Sequence, residues 1–82
     1  MPALTLEEFA ALLRSCAGEA GEIEPDSSFA DLGYDSLAMM EVTSQIERRY
    51  GISLPEADIA EAESPRLFID VVNRGLATAA GG

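Results

Sequence analysis

The sequence predicts an all-α fold: a small bundle of three main helices and one short one, with a long loop after the first. Three observations carry that prediction. Apolar residues recur at helical spacing in three stretches, start and stop signals bracket those stretches, and no run alternates apolar and polar residues as a half-buried strand would. The 82 residues make one domain over 1–82, and at 48% hydrophobic the chain can build a core, though a thin one.

Thr5 and Glu8 have the spacing of a capping box, with Leu4 and Phe9 at the staple positions beside it. Leu6, Phe9, Ala10, Leu13 and Ala17 follow on one helical face, and Gly18 ends the run. Residues 19–35 lose periodicity and carry Gly21, Pro25, Asp26, Ser27, Ser28 and Gly33, an acidic loop anchored by Ile23, Phe29 and Leu32. Asp35 is placed to cap a second helix that runs to Tyr50 and stops at Gly51. At about 100° per residue, Met39, Val42, Thr43, Ile46 and Tyr50 share the core face. Leu37, Met40, Glu41, Ser44 and Arg48 fall opposite, Glu47 stands at their edge, and Arg49 lies towards a neighbouring helix. Gly51-Ile52-Ser53-Leu54-Pro55 is an extended connection, and Glu56 to Glu61 is a short helix carrying Ala57, Ile59 and Ala60. Ser64-Pro65 supplies a cap and a proline at the first helical position. Leu67, Phe68, Val71, Val72 and Leu76 mark the last helix, which ends before Gly81-Gly82.

Charge narrows the function. Fifteen acids face five bases, all arginine, for a net charge of −10. Residues 19–63 hold twelve of the acids and two of the bases, so the whole imbalance sits mid-chain. Such a chain repels nucleic acid and anionic membrane and suits electropositive protein partners. With no histidine it lacks the usual general base near neutral pH and the commonest metal ligand. Asp26, Asp31 and Asp35 lack the spacing of a calcium loop, and Ser36 has neither a base nor an oxyanion site for nucleophilic catalysis, so no metal site and no enzyme are expected. Cys16 reads as a buried, inert thiol, and a single cysteine fits a reducing compartment. The Met1-Pro2-Ala3-Leu4 start is not a signal peptide and no stretch is long enough to span a bilayer; the expectation is a cytoplasmic monomer.

One site stands out. Leu37 and Met40 are large and apolar on the face turned from the core, and they flank Ser36 at a helix start, where free amides and the dipole favour an anionic group. Asp35 and Glu41 give that face an acidic rim. The run Asp31-Leu32-Gly33-Tyr34-Asp35-Ser36-Leu37 resembles the attachment motif of acyl carrier proteins. The longer match through Ala38-Met39-Met40-Glu41 and on to Ile46-Glu47-Arg48-Arg49-Tyr50-Gly51-Ile52 resembles the discrete carriers of type II aromatic polyketide synthases. Cys16-Ala17-Gly18-Glu19 and Ser64-Pro65-Arg66 add to the likeness, which extends from Leu4 to Leu76.

That resemblance implies a four-helix acyl-carrier bundle whose second helix is the recognition surface. It implies that Ser36, beside Asp35, carries 4′-phosphopantetheine donated by coenzyme A through a phosphopantetheinyl transferase. The arm's thiol would hold a growing polyketide as a thioester for a ketosynthase and chain-length factor, a malonyl transferase and tailoring enzymes. By the same resemblance Leu37, Met40, Glu41 and Glu47, with Asp35, are the docking residues. Arg48 and Arg49 interrupt the acidic face, unlike the second helix of fatty-acid carriers, and Tyr34-Asp35 stands where peptidyl carriers have glycine-histidine. A fatty-acid carrier is the alternative within the class; an acidic helical adaptor with Ser36 unmodified is the alternative outside it. Ala57, Ala60 and Ala62 near the short helix suggest a slot that shelters part of an attached chain.

Overall fold

A computed structural model describes residues 3–18 and 22–81. Expectations for Glu19, Gly21, Gly82, the Met1-Pro2 start and the side chain of Ala17 lie outside what is described. Four helices follow in order: α1 (Leu6–Ala17), α2 (Ser36–Tyr50), α3 (Glu56–Glu61) and α4 (Pro65–Gly81), with no strand among the described residues.

The ends are set by the expected chemistry. Thr5 Oγ1 accepts the Glu8 N–H at 3.2 Å, and the Thr5 hydroxyl itself donates to the Glu8 carboxylate at 3.0 Å, a variant of the reciprocal capping box. Asp35 Oδ1 accepts the Ala38 N–H at 2.9 Å at the head of α2. Gly51, with φ 66° and ψ 37°, closes α2 in the left-handed conformation that glycine adopts without strain. Ser64 caps α4 at a longer 3.4 Å through the Leu67 N–H. The last helix does not stop before its glycines: the alanine-rich tail continues it through Gly81, as alanine's helix propensity allows.

Phe9, Leu13, Val42, Ile46, Phe68 and Val72 are fully buried and form the centre. Phe9 stacks on Phe68 with centroids 4.9 Å apart, and Phe29 meets both rings edge-on at 6.0 and 6.1 Å. Phe29 thus draws the long loop into the α1–α4 interface. Ile23 is buried as expected, while Leu32 is half-buried. Backbone bonds finish the anchoring: Phe29 N–H donates to Glu63 O and Arg66 N–H to Pro25 O, both at 2.9 Å. Arg66 also forks onto Asp26 at 2.8 and 3.1 Å. At the other end, Asn73 of α4 accepts the Leu4 N–H at 2.7 Å and donates to Leu4 O at 3.2 Å.

α1 packs against both α2 and α4, and α3 packs on α4. Two expectations for side chains change. Arg49 is exposed rather than packed on a neighbouring helix. Ser44, placed with the outward set, is half-buried and lines the cleft beside α3. Cys16 is half-buried, and burial together with the nearby Glu41 charge pushes its thiol up, which keeps it protonated and inert.

Candidate functional site

Ser36 occupies the first helical position of α2, exposed, directly after the Asp35 cap. The preceding Tyr34 fixes the approach. Its ring is buried, its N–H donates to Phe29 O at 2.9 Å, and its hydroxyl donates to Gly18 O at 3.0 Å, tying the start of α2 to the end of α1. Sequence reasoning gave Tyr34 no structural part; an aromatic ring at the end of an acidic loop, directly before a cap, was the available signal.

From Ser36 a cleft of about 810 Å³ opens between α2 and α3. That volume falls within the range of small-molecule sites. Met39, Met40, Thr43 and Glu47 line it on the α2 side, Ile59 and Ala60 on the other, and Leu54 and Ala62 towards the core. The slot expected from the small residues is present, but Ala57 is exposed and not part of its lining. Thr43 spends its hydroxyl proton on Met39 O at 2.7 Å, leaving an acceptor face on that wall.

Leu37, Met40, Glu41 and Arg48 stand outward on α2 as their spacing predicts. Leu37 is 75% exposed and Met40 66%, two of the three large apolar side chains that stand out in solvent among the described residues. Folding gains nothing from them there, so their apolar area is available to a partner. Glu41 is exposed on the same face. Glu47 differs. It is half-buried, and its Oε2 accepts the Leu54 N–H at 2.8 Å, so it is held by the linker instead of standing free with Glu41.

The residues at the head of α2 suit a phosphodiester-linked arm. The serine hydroxyl is accessible, the positive end of the α2 dipole faces an attached phosphate, and the adjoining cleft can take a flexible chain. Among the described residues no group of side chains could hold a metal ion, and no helix is long and apolar enough to cross a membrane.

Comparison with known proteins agrees with this geometry. The phosphopantetheine attachment site family matches residues 5–72. The granaticin polyketide synthase acyl carrier protein of Streptomyces violaceoruber is 45% identical over 98% of this chain and the whole of that protein. The actinorhodin polyketide synthase acyl carrier protein of Streptomyces coelicolor is 39% identical over 94% of this chain and 95% of that one. The solution structure of the oxytetracycline acyl carrier protein superposes with a TM-score of 0.83 at 40% identity, covering 96% of this chain and 88% of that one. The fatty-acid and adaptor alternatives give way to these relatives. The chain belongs to the acyl carrier proteins of type II polyketide synthases, the family built around a phosphopantetheine attachment site.

Proposed function

We propose that Ser36 is the attachment residue and that α2 is the surface through which this carrier meets its partners. The chain is a carrier and not a catalyst, 4′-phosphopantetheine is its covalent group, and enzymes of a polyketide synthase are its partners. When attached, that group supplies a thiol on a long flexible arm, to which polyketide intermediates are bound as thioesters. The protein's own contribution is position: a tethered chain meets each enzyme at high effective concentration.

One observation carries the assignment of Ser36. It is an exposed hydroxyl at the mouth of the cleft, at the start of the helix whose outer face holds Leu37 and Met40. A phosphopantetheinyl transferase takes coenzyme A as donor: the Ser36 oxygen loses its proton and bonds to the pantetheine-side phosphorus, the P–O bond of the pyrophosphate breaks, and adenosine 3′,5′-bisphosphate leaves. Asp35 caps the helix so that this oxygen is presented at the first turn. Leu37 and Met40 then supply apolar contact, and Asp35 and Glu41 meet basic residues around the active-site mouths of a ketosynthase with its chain-length factor, a malonyl transferase and tailoring enzymes. Such contacts are fast and salt-sensitive, as a carrier that must leave each partner requires. We place it in the cytoplasm as a monomer, where coenzyme A is at hand. The cleft shelters part of the attached chain between visits.

The test is intact mass after incubation with coenzyme A and a promiscuous phosphopantetheinyl transferase, with Ser36→Ala alongside. A gain of one phosphopantetheinyl group by the wild type and none by Ser36→Ala is the expected result. A gain that survives in Ser36→Ala, or a folded wild type that gains nothing, overturns the assignment.

A further inference from the structure

The α2–α3 cleft has walls of unequal origin. α3 rests on α4, so the wall opposite α2 is joined to it in sequence only through residues 51–55. Three amides of that linker end on one residue. Gly51 and Ile52 both donate to the Glu47 carbonyl, the latter at 3.1 Å, and Leu54 donates to Glu47 Oε2 at 2.8 Å. Leu54 is buried, lines the cleft, and backs onto α4: a Cβ at Gly75 would come within 3.4 Å of its Cδ2 and 3.5 Å of Ile52 Cδ1. The linker is therefore clamped between Glu47 on one side and α4 on the other.

We infer that Glu47 is a positioning residue: through Leu54 its carboxylate fixes the inner end of the cleft, and so governs how the chain carried on Ser36 is sheltered. This rests on the carrier reading of Ser36. The residue type alone suggests a different role, as one more docking acid beside Glu41. The two roles need different properties of the same group. Docking to a basic partner needs the negative charge. Holding the Leu54 amide needs an acceptor at the right distance, which a carboxamide oxygen also provides. An acceptor that is half-buried and already bonded is poorly placed for docking and well placed for holding the linker.

Glu47→Gln and Glu47→Ala separate the roles. In each variant, and in the wild type, the exchange rate of the Leu54 amide is measured by NMR in the arm-free protein. The amide-shift difference between hexanoyl-loaded and unloaded arm-bearing forms is then recorded for cleft-lining residues. Expected are Leu54 exchange and loading shifts in Glu47→Gln within about twofold of wild type. In Glu47→Ala, Leu54 should exchange about tenfold faster or more, and the loading shifts at Leu54 and Ala62 should fall to less than about half. Equal exchange in Glu47→Ala and wild type overturns the inference, as does a Gln variant that behaves like Ala. Faster Leu54 exchange in Glu47→Ala with unchanged loading shifts also overturns it, since the clamp would then have no bearing on the chain. The exchange arm uses protein without the prosthetic group, so a failure of Ser36 loading is read separately from a failure of the clamp.

Discussion

The two sides of this bundle are built differently. The α1–α4 side is sealed by Phe9, Phe68 and Phe29, three rings in mutual contact. The α2–α3 side stays open: Phe29, Tyr34, Leu54 and Ile59 reach its cleft, but most of the lining is small, flexible or polar. A chain of this size cannot seal every interface and still keep room for cargo. It concentrates large rings where the helices must not separate and spends alanine, methionine and threonine where they must leave a gap. Stability and capacity are thus assigned to opposite flanks of the same helices, with Ile46 and Val42 of α2 serving the first and Met39 and Thr43 the second.

Substitutions on the sealed side should break the fold. Phe68→Ala removes the ring that makes two of the three aromatic contacts and should cost about 3–5 kcal/mol, and Ile46→Ala about 2–4 kcal/mol, read from urea midpoints. Either is a large share of the stability of a small domain. On the open side the same bulk should be nearly free. Asp35→Ala, which loses the α2 cap, should cost about 1 kcal/mol. Ala60→Leu, which narrows the cleft from an exposed position, should stay within about 0.5 kcal/mol of wild type while diminishing the loading-induced amide shifts. A large loss of stability in Ala60→Leu would show that the cleft is part of the core after all. Met40→Ala and Glu41→Arg sharpen the contrast further, with melting unchanged and ketosynthase turnover reduced severalfold; unfolding of either would mean that the outer face of α2 is not free.

The smallest effect belongs to the loop that links the two sides. The Arg66 guanidinium, first by hydrogen bonding and then by charge, holds the Asp26 carboxyl below its usual range. The folded value is lowered, so the stability it contributes is fully present above the ordinary carboxylate value of about 3.9 and is lost as pH falls through the lowered one. Asp26→Asn should remove that part of the acid dependence in thermal melts between neutral pH and about pH 3. Both side chains are exposed, so the difference should shrink with added salt.

The sealed side was the legible one. Phe9, Leu13, Phe68, Val71 and Val72 announce themselves by helical spacing, and Thr5, Asp35 and Gly51 by the chemistry of helix ends. Ser36, Leu37 and Met40 were legible for the opposite reason, as apolar residues out of phase with the core beside a serine at a helix start. What spacing could not give was the course of the chain between helices. Tyr34, Leu54 and Ala62 are buried by the path of loops, which no periodicity encodes. The same holds for Glu47, whose carboxylate is turned inward by a linker amide seven residues on. Arg49 was misjudged because an angular position on a helix wheel says nothing about whether a neighbour is there to meet it.

The Asn73 clamp on Leu4 has a consequence for the order in which the protein assembles. One carboxamide accepts from and donates to the same backbone unit, as a strand neighbour would, across 69 positions of sequence. Helices and their nearest packings form early because little chain must be closed to make them, whereas a contact of that separation rewards the chain only after the rest is in place. A bond made after the folding barrier acts on the reverse reaction. Asn73→Ala should therefore leave the refolding rate near that of the wild type and quicken unfolding, so that the clamp sets how long the native state lasts rather than how fast it is reached.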